Sequence, residues 1–201
     1  MEPRAGGGTT RRELIAGALG AAGAAALLAA RPGAAWADAP LTDPALLSAA
    51  LSAEEVAMLA YRRVLALPAL TAADRKLLRL LVRQDRQHAA LLRRELAAIG
   101  QAPPAPPRTY ADVDHALSAH GMRGGLATVR ARKDAIHLLL EVEALCEGAY
   151  YTAVQNLSDA GAMVRAAQAL ASEAQHTTLL SELIYPEIEE AVPDWYVAGV
   201  R

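Results

Sequence analysis

The sequence predicts an all-α domain, a four-helix bundle built from two antiparallel helix hairpins with one long crossover between them. Three observations lead there. Apolar residues recur at helical spacing after residue 37, without alternating β-branched runs. Within each half the two long helices are joined by only about four residues, which makes them antiparallel neighbours. A two-helix unit is also written twice. Asp85-Arg86-Gln87-His88 is echoed by Glu173-Ala174-Gln175-His176, and a further carboxylate, Glu54 or Glu143, precedes each segment by 31 or 30 residues.

Residues 1–37 read as a targeting segment and 38–201 as the domain. Thr10-Arg11-Arg12-Glu13-Leu14-Ile15 is a twin-arginine pattern, and Ala35-Trp36-Ala37 is a small-x-small cleavage site. Between them, Leu14 to Ala30 is an apolar run of 17 residues rich in Ala and Gly. A retained membrane anchor is the competing reading, but a bilayer core wants about 20 strongly apolar residues. Cleavage leaves no membrane span and implies a periplasmic, cell-envelope or extracellular protein.

Asp43-Pro44 opens helix 1, which Leu67-Pro68 closes, and Thr71 caps helix 2, which runs to Gly100. Pro103, Pro104, Pro106 and Pro107 then stiffen a crossover that holds one short helix, Tyr110 to Ala119. Helix 3 is expected from about Leu126 to Leu157, and helix 4 from about Gly161 to Tyr185. The tail from Ile188, with Pro193, Trp195 and Tyr196, is expected to pack irregularly over one end of the bundle.

Composition excludes several functions. The formal charge is −2, and removing residues 1–37 takes Arg4, Arg11, Arg12 and Arg31 together with Glu2 and Glu13, giving −4. An acidic chain whose arginines interleave with apolar residues at helical spacing gives no basis for nucleic-acid binding. Cys146 is the single cysteine, so this chain has neither an intramolecular disulfide nor a four-thiolate iron site.

The chemistry lies where the inward apolar stripes are interrupted. Asp85 and His88 interrupt Leu78, Leu81 and Leu92; Glu173 and His176 interrupt Ala166, Leu170 and Leu180. Glu54 and Tyr61 break the stripe of helix 1, and Glu143, Glu147 and Tyr150 that of helix 3. A carboxylate and an imidazole three residues apart share one helix face, as two ligands of one metal do. Four carboxylates facing one another in a core repel and lose hydration, so they require compensation. Two divalent cations would supply it, and zinc, which favours closed four-coordinate N or S sites, suits the set less well.

Glutamates on two helices with carboxylate-x-x-His on the other two is the pattern of di-iron and di-manganese carboxylate bundles. From about residue 44 to 186 the chain resembles the ferritin-like superfamily, with bacterioferritin- and rubrerythrin-like spacing, and it is similar to exported bacterial ferritin-like proteins. The resemblance implies two metal ions, Fe or Mn, held by Glu54, Asp85, His88, Glu143, Glu173 and His176. It further implies dioxygen or peroxide as reactants, iron oxidation or peroxide reduction as activity, and compatibility with a homodimer.

Asp85 departs from the family's usual glutamate, and its shorter side chain is expected to weaken bridging. Glu147 is then either a compensating ligand or a partly solvated helix residue. Tyr61, the candidate catalytic residue, is expected to hydrogen-bond a ligand carboxylate, with core packing as the alternative for it and for Tyr150. Cys146 reads as a small buried hydrophobe; His115, His120 and His137 read as surface or loop residues. The competing functional class is a non-catalytic envelope scaffold or binding protein that keeps these carboxylates as a metal-free polar core.

Overall fold

The computed structural model describes residues 41–185; residues 1–37, expected to be a targeting segment, and the tail beyond Tyr185 lie outside the described residues. Five helices follow in order: α1 Asp43–Leu65, α2 Ala72–Ala98, α3 Tyr110–Ala119, α4 Arg132–Asn156 and α5 Ala160–Glu182. Among the described residues there is no strand, and no helix is long and apolar enough to cross a membrane.

Local chemistry sets most of the boundaries. Pro44 lies in the first turn of α1. Thr71 and Asp74 form a capping box at the start of α2, and Thr109 and Asp112 form another at α3. Gly100, with φ +70°, ends α2 as Gln101 N–H reaches back to the Leu96 carbonyl at 2.8 Å. Asp159 caps α5 by accepting from Ala162 N–H at 2.6 Å.

The start of α4 differs from the expectation. Leu126 and Val129 have helical spacing and are buried, but residues 126–131 are not helical. Gly124 and Gly125 have φ values of +66° and +101°, which a right-handed helix cannot continue. Asp114 Oδ1 accepts from the N–H groups of Gly125 and Leu126 at 2.7 and 2.8 Å, and Arg63 donates to the Val129 carbonyl at 3.0 Å. These tertiary bonds hold a turn that plugs two apolar side chains into the core, and the helix begins six residues later than the spacing suggests.

α1 packs on both α2 and α4, and α4 packs on α5, whereas the α2 and α5 backbones lie farther apart and meet through side chains. The core therefore centres on the α1–α4 contact, with Leu51, Tyr61, Leu81, Ile136, Leu139, Tyr150 and Leu180 fully buried. Side chains fasten the two hairpins at both ends. The buried Asp74 of α2 takes a bidentate pair from Arg132 of α4, at 2.6 and 2.8 Å, which holds its carboxyl far below the usual range. Arg132 also donates to the Leu183 carbonyl at 3.1 Å. Asp43 of α1 accepts from Ser158 and Asp159 in the α4–α5 turn, and Arg165 of α5 pairs with Glu95 of α2 at 2.7 Å.

Candidate metal centre

Each long helix brings its interrupting polar residue to the same depth of the core. Glu54, Asp85, Glu143 and Glu173 are fully buried and His176 is 1% exposed, while the His88 side chain keeps 15% exposure. Their ligand atoms form two overlapping groups, each within 4.8 Å: Glu54, Asp85, His88 and Glu173, and Asp85, Glu143, Glu173 and His176. Asp85 and Glu173 belong to both. The shorter side chain of Asp85 still brings a carboxylate oxygen into both groups.

The tyrosines cross over. Tyr61 of α1 donates to Glu143 of α4, and Tyr150 of α4 donates to Glu54 of α1 at 2.7 Å. Each hydroxyl thus serves the carboxylate of the opposite repeat, which requires α1 and α4 to run antiparallel at this level. Burial and nearby carboxylates push both phenols well above their ordinary pKa, so they remain donors.

The two histidines face the carboxylates through Nδ1. His88 Nδ1 lies 2.7 Å from Glu173 Oε1 and 3.2 Å from Glu54 Oε1. His176 Nδ1 lies 3.3 Å from Glu143 and Glu173 and 3.4 Å from Asp85. Burial pushes Glu54 and Glu143 up to about 8, with added repulsion from Glu173. Burial, and then Glu143 and Glu173, push Asp85 to about 9. Glu173 goes the other way, because contacts with both histidines outweigh its burial. Burial likewise opposes charge on the histidines, but contact with their carboxylates outweighs it and raises His88 to about 10 and His176 to about 11.

Protons thus compensate the cluster only in part. Glu54 Oε2 and Asp85 Oδ2 are buried without a partner, and Asp85 Oδ1, both oxygens of Glu173 and His88 Nδ1 have only the imidazole–carboxylate contacts above, too poorly aligned to be hydrogen bonds. Buried polar atoms are normally paired, so a convergent set of orphaned acceptors fits cations placed among them. Carboxylate oxygens with one imidazole per group are a donor set that could hold a divalent metal ion.

The profile of the family described as "Ferritin-like domain" matches residues 42–186. The chain belongs to the ferritin-like domain family. Neither the curated proteins nor the solved structures contain a match to it.

Other candidates fall outside the centre of this ferritin-like domain. Glu147 is in neither group; it points to α5, where it accepts from Thr177. His115, His120 and His137 are also in neither group, and Cys146 is a buried free thiol. Sequence reasoning missed Gln84, whose Oε1 lies 2.8 Å from His176 Nε2. Its signal was present in the repeat, where Gln84 before Asp85 is matched by Ser172 before Glu173.

Proposed function

We propose that this ferritin-like domain binds two metal ions, Fe or Mn, and acts as an iron-oxidising or peroxide-reducing protein. The observation that carries the reading is the pair of ligand groups sharing Asp85 and Glu173, with their orphaned buried oxygens. Glu54 and His88 would hold one ion and Glu143 and His176 the other, with Asp85 and Glu173 between them. When bound, a redox-active pair supplies electrons to dioxygen or peroxide. The chain's own part is to hold the ligands in a dry core and keep their charge balanced. Tyr61 and Tyr150 fix Glu143 and Glu54 by donating to oxygens that would otherwise turn freely, which makes Tyr61 a positioning residue.

Export by the twin-arginine route belongs to the same proposal and rests on the pattern in residues 1–37. Metal analysis of protein purified from its native host tests the metal reading. Two equivalents of Fe or Mn per chain, followed by oxidant consumption when Fe(II)-loaded protein meets dioxygen or peroxide, is the expected result. Well under one equivalent would favour a metal-free scaffold.

A further inference from the structure

The two halves of the centre are not equivalent, and the difference lies outside the ligands. His176 is 1% exposed, and its Nε2 lies 2.8 Å from Gln84 Oε1, an acceptor reaching across from α2. Ser172 Oγ sits farther off at 3.5 Å. The repeat would place a counterpart of Gln84 on α5 to serve His88, but that position is Ser172, which lies near its own helix's His176 instead. Among the described residues His88 Nε2 has no hydrogen-bond partner, and its side chain is 15% exposed.

An acceptor at Nε2 selects the tautomer that carries its proton there. That tautomer leaves the Nδ1 lone pair free, and Nδ1 is the atom facing Asp85, Glu143 and Glu173. Partners of this kind fix ring orientation and typically contribute about 10- to 100-fold in metal affinity. Among the described residues His88 has none.

We infer that Gln84 is a positioning residue that makes the Glu143–His176 position the tighter metal position, while the Glu54–His88 position fills second and exchanges with solvent. The inference rests on the di-metal reading above. It replaces the length of Asp85 as the source of inequality, since Asp85 belongs to both groups.

Anaerobic calorimetric titration of the full domain with Mn(II), repeated with Co(II), tests it. The unaltered chain should bind two ions in two resolved steps, and His88→Ala should remove the weaker. Gln84→Ala should weaken the tighter step by about 10- to 100-fold and leave the other within about twofold. Gln84→Glu keeps an acceptor and should retain the tighter step. Circular dichroism and melting of the metal-free variants establish that each is folded, so a step-selective loss is not a general loss of structure. Two steps that Gln84→Ala leaves unchanged, or weakens equally, would overturn the inference and leave the di-metal reading standing. Binding of neither metal by the unaltered chain would overturn both.

Discussion

The hydroxyl of Tyr150 on α4 donates to Glu54 on α1 at 2.7 Å, although 96 residues separate them. Tyr61 returns the same bond to Glu143, so each repeat completes the other's carboxylate. Tyr150→Phe removes the donor and leaves a buried oxygen unpaired, which typically costs about 1 to 3 kcal/mol. Urea unfolding of the metal-free protein should show a loss of that size, and Tyr61→Phe should match it through Glu143. A loss below about 0.5 kcal/mol for both would mean the bonds are incidental to packing.

Asp85→Asn separates the two ways in which the centre is balanced. Burial and repulsion keep Asp85 protonated near neutral pH without metal, so a neutral amide of the same shape should leave the metal-free melting temperature unchanged or higher. The same substitution takes a shared ligand from both groups and should reduce Mn(II) binding at both positions. Strong destabilisation of the metal-free protein would show that the carboxylate is already ionised there.

His176→Ala should lower metal occupancy and stability together. The imidazole is buried against three carboxylates, and breaking a buried charge pair typically costs about 3 to 5 kcal/mol. Thermal unfolding with and without added Mn(II) reads both effects. A variant that melts like the parent and is equally stabilised by Mn(II) would remove His176 from the ligand set.

The centre also sets a pH dependence. Glu54, Asp85 and Glu143 have folded values raised to about 8 or 9, and His88 and His176 values raised to about 10 and 11. Each raised group contributes stability that is complete below its unfolded value and lost as pH rises through the folded one. Metal-free protein should therefore lose stability steadily from about pH 5 to above pH 9. Glu173, lowered, acts in the opposite sense and matters only below about pH 4.5. Metal ions displace these protons, so binding should release protons and tighten as pH rises. Calorimetry in buffers of different ionisation enthalpy would measure the release; zero release would contradict the protonated cluster.

The helices were readable because their ends carry local chemistry, in Pro44, Thr71, Thr109 and Gly100, and because six polar residues interrupt apolar stripes in register. What could not be read depended on contacts distant in sequence. Residues 126–131 have helical spacing but are held in a turn by Asp114 and Arg63. Glu147 and Gln84 are each about one turn or less from a ligand, and only the facing helix decides that one meets Thr177 and the other His176.

The bonds that register one hairpin against the other, Asp74 with Arg132, Asp43 with Ser158, Glu95 with Arg165, and the crossed tyrosines, all run between side chains or from side chain to turn, and none uses the peptide of residues 101–109. That proline-bearing stretch is consequently a tether and not a strut. A chain cut there holds, in its two pieces, all of these instructions for alignment, so the halves expressed as separate polypeptides should find each other and rebuild the centre, as two subunits of a heterodimer would.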